Sequence, residues 1–383
     1  MIAAARRRPG GGLYLHVPFC GATCSYCHFA RTAAHDAPLR RRLVAGMIQE
    51  LALRRERCAA LAAGRRPLAT AYVGGGTPSQ LEPELLAELL AGTVATLPVA
   101  PDLELTVEAN PETLTAEAAA VWRDAGVNRV SLGIQSLDRR VLQLLGRRCD
   151  PATARRALAL ACRVFARVSA DWILGPGLRP DRLLAELDEA LELGIEHLSL
   201  YILELHAGTP LAAAVAAGRV SMPADHQTER LYLECCEHLA RRGLVHYEVS
   251  NFARPGGESR HNRAYWAGVP YLGIGPAASG YWGRRRYTNL TEIADYLAAV
   301  DVGRLPEADI DPLDRRARRL ERVILALRTA AGLARDQLPP DALDLARGER
   351  AGLWTLVGDR LRLTDRGWLQ LDALEGQLAA ALG

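Results

Sequence analysis

Short apolar, strand-like segments alternate six times with longer segments of helical periodicity in the first half of this chain. Ser79 and Thr115 are predicted to precede helix starts. Consecutive strands joined by crossover helices favour a parallel sheet covered by helices, which makes the predicted fold class α/β. The predicted strands are 13–17, 70–73, 103–108, 129–134, 170–174 and 197–203, and the predicted helices lie near 38–63, 80–96, 115–125, 138–146, 151–166 and 181–193.

Polar and glycine residues collect at the carboxyl ends of these predicted strands. They are Gly74-Gly75-Gly76-Thr77-Pro78, Glu108-Ala109-Asn110-Pro111, Gln135-Ser136 and Asp171. In a β/α barrel the carboxyl ends of the strands meet at the face where ligands bind. Six units are fewer than a closed barrel needs, so the sequence predicts an incomplete (β/α)6 barrel that is open on one side.

The alternation of predicted strands and helices ends at about residue 205, and we divide the chain there. Residues 1–12 are predicted to be a disordered tail, 13–205 the partial barrel, and 206–383 a C-terminal α+β extension. Within the extension, 211–239 is predicted to be mainly helical and 245–251 a strand. Its last part, about 315–383, is predicted to be a small winged-helix-like tail with a hairpin turning at Gly358-Asp359 and a last helix capped by Thr364.

Composition excludes several classes of protein. The 383 residues carry a net charge of only +3, so no general attraction to nucleic acid is expected. The basic residues are all arginine, and runs such as those at 40–42 and 315–319 are interpreted as solvated faces. No apolar run approaches the roughly 20 residues of a membrane span, and no signal peptide is recognised. We predict a cytoplasmic protein.

Three of the eight cysteines, Cys20, Cys24 and Cys27, fall within eight residues directly after the first predicted strand. Such clustered thiols point to a metal site in a reducing compartment. One loop with this spacing can hold three corners of a four-iron cluster and leave the fourth iron open to a ligand. A zinc site completed by His16 or His28 is the less favoured alternative, because so close a fourth ligand strains tetrahedral geometry. The other five cysteines are interpreted as buried, inert thiols.

The Cys-x3-Cys-x2-Cys segment resembles the radical S-adenosylmethionine superfamily. Further matches resemble its oxygen-independent coproporphyrinogen III oxidase-like family from about residue 13 to the C-terminus. The resemblance implies a [4Fe-4S] cluster whose open iron is chelated by S-adenosylmethionine. The matching segments are 14–20, 74–79, 107–111, 131–136, 145–147, 247–252 and His261-Asn262-x-x-Tyr265-Trp266.

Carried over residue by residue, the resemblance implies a binding shell for S-adenosylmethionine. Glycines allow close approach of the backbone, Glu108 suits the amino group, and Gln135 and Asp171 suit ribose hydroxyls. Arg147 can form a charge-assisted hydrogen bond to the carboxylate. The implied shell comprises Tyr14, Tyr26, Gly75, Gly76, Thr77, Glu108, Gln135, Arg147 and Asp171.

Two branches of the family share these features. The decarboxylases carry a fourth cysteine two places after the third, where this chain has Phe29. The haem chaperone branch carries the His-Asn-x-x-Tyr-Trp signature, found here as His261, Asn262, Tyr265 and Trp266. Histidine is a common axial ligand of haem iron, and aromatic rings offer flat apolar surface to a porphyrin. The resemblance therefore implies a haem chaperone with haem as its cargo, and coproporphyrinogen III decarboxylation is the alternative.

The chaperone resemblance also implies partners. The expected acceptor of haem is a respiratory protein at the membrane, with peripheral membrane contact and homodimerisation as further expectations.

The chain departs from the family pattern at three places. His28 stands where the branch usually has an acid, and Gly175-Pro176 replaces Leu-Pro. Ser279 stands near the position of a usual histidine, which puts standard ligation in doubt.

Overall fold

The computed structural model describes residues 10–57, 66–282, 285–338 and 343–382. Three predictions fall partly outside this range: the N-terminal tail over 1–9, the end of the first helix over 58–63, and the thiol of Cys58. Within the range, the first strand begins at Gly11, which shortens the predicted tail by two residues.

Six parallel strands in sequential order form the body of the protein, as the alternation predicted. Apolar side chains of these strands and of the crossover helices make one large buried core. The strands are β1 Gly11–Val17, β2 Leu68–Gly75, β3 Val99–Ala109, β4 Arg129–Gln135, β5 Arg167–Leu174 and β6 His197–Ile202, and the helices are α1 Ala37–Arg57, α2 Pro83–Thr96, α3 Ala116–Asp124, α4 Arg139–Leu144, α5 Pro151–Val164 and α6 Pro180–Glu192.

A side-chain cap explains where one of these helices begins. The Thr115 hydroxyl accepts a hydrogen bond from the Ala118 amide at 3.1 Å, so Thr115 caps α3 as predicted. The prediction for Ser79 was wrong. Ser79 lies in a 3₁₀ turn over Pro78–Gln80 and bonds to Thr113 instead, and α2 begins later, after Glu82.

The C-terminal extension lengthens the sheet at both edges, giving twelve strands in the order β12-β11-β10-β9-β1-β2-β3-β4-β5-β6-β8-β7. The predicted strand over 245–251 is in fact a tight hairpin of two strands. β9 pairs with β1 in parallel, so the described edge strands of the six-stranded body pair with the extension rather than with each other. The added elements are α7 Pro210–Ala216, α8 Asp225–Arg241, β7 Val245–Glu248, β8 Asn251–Ala253, α9 Arg260–Trp266, β9 Tyr271–Ile274, β10 Ser279–Trp282, β11 Arg285–Asn289, α10 Ile293–Asp301 and β12 Glu307–Pro312.

The last part of the chain has its own small core and its own three-stranded sheet, in the order β13-β15-β14. The predicted hairpin is present, and Gly358 at its turn has a φ of +62°. The sequence predicted that Thr364 caps the last helix. Thr364 does act as a cap, but of a short helix that precedes the last one. The elements are α11 Arg315–Leu327, β13 Leu333–Ala334, α12 Leu345–Arg350, β14 Trp354–Val357, β15 Arg360–Leu363, α13 Asp365–Trp368 and α14 Leu371–Leu382.

Candidate functional site

The three clustered cysteines lie on one loop that follows β1 and is held at several points. The Cys20 amide bonds to the Thr32 carbonyl at 2.9 Å, and the Ser25 amide bonds to the Leu145 carbonyl at 3.1 Å. Gly146 is required at this contact, because its φ is +66° and a Cβ there would lie 2.9 Å from the Ser25 nitrogen. These backbone contacts fix the loop against the rest of the fold.

All three thiols line one cavity of about 520 Å³ at the carboxyl ends of the strands. Cys20 Sγ lies 3.5 Å from Thr77 Oγ1, and an Arg147 guanidinium nitrogen lies 3.7 Å from Cys24 Sγ. Among the described residues that line the cavity, these three are the only cysteines. Three convergent thiols and one nearby cation suit a metal cluster that keeps an open coordination position.

A glycine cradle forms the wall next to the cysteine loop. Gly75 has a φ of +120°, and a Cβ there would meet the His16 imidazole at 2.8 Å. A Cβ at Gly76 would lie 2.7 Å from the Pro18 carbonyl. Side chains are excluded at both positions, so the backbone can approach a ligand closely.

Two half-buried carboxyl groups, Glu108 and Asp171, face the same cavity from β3 and β5. Burial raises the pKa of Glu108 to about 7, its neighbour Asp171 adds to the rise, and a 2.7 Å hydrogen bond from Tyr72 opposes it. Burial likewise raises the pKa of Asp171 to about 6, with Ser199 opposing. Two carboxyl groups in one desolvated space favour a cationic ligand, because a positive charge lets both ionise.

Two further polar groups in the cavity are incompletely bonded. Gln135 ends β4 with a φ of +67°, and its buried Oε1 has no partner among the described residues. The Arg147 guanidinium bonds to Asn110 at 2.9 Å and to the Gly133 carbonyl at 2.6 Å, whereas its Nε has no described partner. Buried polar atoms without partners are costly, so they mark where a polar ligand fits.

Eight of the nine residues predicted to contact S-adenosylmethionine line this cavity. Tyr14 does not: its hydroxyl lies 3.1 Å from His16 Nδ1, in the layer beneath. Sequence reasoning assigned no role of their own to four residues, Tyr72, Asn110, Ser131 and Tyr201, that line the cavity or support it. Asn110 lies inside a segment already singled out, and Ser131 and Tyr201 follow the alternation of β4 and β6, whereas Tyr72 gives no sequence signal beyond its place in β2.

The residues predicted to contact haem lie at the opposite ends of the strands. His261 Nδ1 lies 3.0 Å from the Thr70 hydroxyl near the start of β2, and burial lowers the pKa of His261 to about 4. The imidazole is therefore neutral. Tyr265 is exposed beside it, Asn262 points into a polar space inside the barrel, and Trp266 packs under the Arg328 guanidinium, 5.5 Å from its ring centre. Tyr265 thus adjoins both His261 and Trp266, whereas Asn262 faces a different space.

Two of the departures from the family pattern have distinct surroundings. His28 lies at the rim of the cavity, with its ring centre 3.5 Å from that of His206, and no metal-ligating cluster of described residues joins it to the cysteines. Ser279 opens β10 and lies 3.0 Å from the Thr288 hydroxyl on the neighbouring strand.

Comparisons with known proteins agree with this architecture. Residues 14–190 match the family model of the Radical SAM superfamily. Coproporphyrinogen III oxidase (HemN) from Escherichia coli superposes with a TM-score of 0.82 at 22% identity, covering 98% of this chain and 91% of that one. At this identity the likeness shows the fold. Fold and family model together define a radical SAM protein.

Relatives at higher identity narrow the class. Heme chaperone HemW from Mycobacterium tuberculosis H37Rv is 40% identical over 375 residues, or 95% of this chain and 93% of the relative. Heme chaperone HemW from Bacillus subtilis is 32% identical over 326 residues, with 84% of each chain covered. The chain belongs to the HemW family, which confirms the family resemblance of the sequence. None of the described helices is both long and apolar enough to cross a membrane.

Proposed function

We propose that Cys20, Cys24 and Cys27 hold a [4Fe-4S] cluster and that the adjoining cavity holds S-adenosylmethionine. The family implies both groups, and the chain's own residues fit them. Three thiols converge on one loop, and two carboxyl groups suit the cationic cofactor. When bound, the cluster supplies one electron for reductive cleavage of the cofactor.

Each part of the cofactor finds a suitable group in the cavity. The glycine cradle can accept the methionine moiety, and Glu108 its amino group, while Arg147 can bond to its carboxylate. Gln135 and Asp171 can bond to ribose hydroxyls, and Gln135 Oε1 is the acceptor that has no partner among the described residues. Tyr26 and Thr77 complete the shell.

We further propose that the protein is a haem chaperone, which binds haem and delivers it to an acceptor protein. The observation that carries this proposal is the likeness to curated haem chaperones over nearly the whole chain. The state of His261 agrees with it: Nδ1 is engaged by Thr70, and Nε2 makes no hydrogen bond to another described residue. In the tautomer in which Nδ1–H donates to the Thr70 hydroxyl, the Nε2 lone pair is available to iron.

Titration of the purified protein with haem, followed by absorbance, tests the chaperone proposal. We expect one haem per chain and at least about 10-fold weaker binding by His261→Ala, because an axial ligand is lost. His226→Ala, which removes an exposed histidine of α8, is the matched control. Absence of haem binding by the wild type would reject the function, whereas unchanged affinity in His261→Ala would reject only this ligand.

Decarboxylation of coproporphyrinogen III is the competing activity. Phe29, at the mouth of the cavity, occupies the place of the fourth cysteine of the decarboxylase branch. Anaerobic incubation of the reconstituted protein with that substrate, S-adenosylmethionine and a reductant should therefore yield no protoporphyrinogen. Accumulation of this product would contradict a purely chaperone role.

The acceptor belongs to the same proposal. We propose a membrane-associated respiratory protein as the acceptor, reached through peripheral contact, and a homodimer as the working form. The modest net charge of +3 fits transient contact with a specific protein better than adhesion to an anionic surface.

A further inference from the structure

A surface groove lies beside α9, outside the cavity already described. One wall is aromatic and is formed by Tyr265 of α9, Tyr271 of β9 and Tyr281 of β10. The ring centres of Tyr265 and Tyr271 lie 5.2 Å apart. The other wall is the helix α11. The sequence did not predict this groove, because its two walls come from distant segments.

One face of α11 supplies charge to the groove. Arg318, Glu321, Arg322 and Leu325 line it, at the spacing that places residues on one helical stripe. Arg286 of β11 also lines the groove and forms a 2.9 Å ion pair with Glu321. Arg318 and Arg322 form no ion pair with any described side chain, so two guanidinium groups keep their charge for a ligand.

The groove borders a small space of about 10 Å³ next to His261. That space is lined by His261, Thr70 and Gly12, and it shares Tyr265 and Tyr271 with the groove. A flat ligand in the groove would therefore have the tyrosines against its face and the arginines of α11 at one edge, with His261 beyond the shared Tyr265 and Tyr271. Haem matches the two walls of the groove: its flat apolar ring suits the tyrosines, and the two carboxylates on one edge suit the arginines.

We propose that this groove is the haem site, and that Arg318 and Arg322 bind the two propionates. The inference rests on the proposed haem function and adds the residues that recognise the carboxylate edge. Guanidinium groups form strong, charge-assisted and often bidentate bonds to carboxylates. The arginine run near 315–319, interpreted from the sequence as a solvated face, thus contributes Arg318 to a binding surface.

The size of the groove fits a cargo rather than a substrate. Its volume of about 250 Å³ is below the roughly 300–1,000 Å³ of pockets that enclose most of a small ligand. Haem would be covered on one side only. A half-covered ligand leaves an open face by which an acceptor can take it.

Haem titration of the full chain tests the proposal with two double variants of α11. Arg318→Ala with Arg322→Ala should weaken haem binding about 10- to 100-fold, because two charge-assisted bonds are lost. The matched control is Arg315→Ala with Arg319→Ala, which removes the same charge from the same helix but away from the groove. The control should stay within about 3-fold of the wild type.

A second probe separates carboxylate recognition from general charge. Haem dimethyl ester lacks the propionate charges, so the wild type should bind it about 10- to 100-fold more weakly than haem, and the Arg318/Arg322 variant should not discriminate. Circular dichroism and iron content of the reconstituted cluster show that each variant is folded. Equal losses in both double variants, or equal affinity of the wild type for haem and its ester, would overturn the inference. A wild type that binds neither probe would overturn the chaperone function itself.

Discussion

Gln135 shows how single residues prepare the cavity for a ligand. Its φ of +67° is a left-handed conformation that costs a residue with a side chain about 1–2 kcal/mol. Its buried Oε1 also has no partner among the described residues. Both costs arise at the end of β4, where Gln135 lines the cavity. A ligand hydroxyl that donates to Oε1 would remove the cost of the unpartnered oxygen. Such concentrated strain is typical of binding sites.

Glu108 should make the metal-free protein less stable as the pH rises. Its pKa is about 7 in the folded state and ordinarily 4.5, so the native state holds the proton more tightly. This contribution is fully present below about pH 4.5 and is lost as the pH rises through 7. Glu108→Gln, which can still accept from Tyr72, should therefore be about 2–3 kcal/mol more stable than the wild type at pH 8.

Urea denaturation at pH 5 and pH 8 measures this difference. The advantage of Glu108→Gln should shrink toward zero at pH 5, where the wild-type carboxyl is already protonated. A constant difference at both pH values would mean that Glu108 is ionised throughout, and would contradict the assigned direction of its pKa.

At the scale of elements, the small C-terminal core depends on one close helix–sheet contact. Gly348 in α12 lies against β14, and a Cβ at this position would be 1.9 Å from the Trp354 ring. Gly348→Ala should destabilise this unit by about 1–3 kcal/mol through overpacking. Gly376→Ala in α14 is the matched control, because nothing lies within 4 Å of the added carbon.

The control should change stability in the opposite direction. Gly376→Ala replaces a poor helix former by a good one in an exposed position and should stabilise by about 0.5–1 kcal/mol. Chemical denaturation followed by tryptophan fluorescence measures both effects, because two of the six tryptophans, Trp354 and Trp368, lie in this small core. Destabilisation by both variants would show that α14, rather than the contact of Gly348 with Trp354, limits the stability of this unit.

Sequence reasoning succeeded where the signal is local. β1 to β6 follow from apolar runs, and the glycine cradle and Thr115 cap follow from residue types that few other conformations need. It failed where distant segments meet. Nothing near Tyr271 shows that β9 will pair with β1, and the partner of Ser79 is Thr113, 34 residues away. The groove beside α11 escaped notice for the same reason.

For the whole molecule, the two proposed sites lie at opposite ends of the barrel strands. Thr70, which holds His261, and Gly75 of the cradle lie on the same strand, β2. Five residues of extended chain separate them by about 16 Å. A haem in the groove would therefore not touch S-adenosylmethionine in the cavity, which favours carriage of haem over chemistry on it.

This separation predicts that cluster and haem occupancy can be uncoupled. Cys24→Ala should abolish the [4Fe-4S] cluster, because two thiolates rarely hold four irons, and yet leave haem affinity within about 3-fold of the wild type. Iron and sulfide analysis measures the cluster, and a haem titration of the same sample measures the groove. If Cys24→Ala stays folded but loses haem together with its cluster, the haem lies at the cysteine end of the barrel. The reverse experiment, Arg318→Ala with Arg322→Ala, should lower haem affinity and leave the iron and sulfide of the cluster unchanged, since α11 contributes no residue to the cavity.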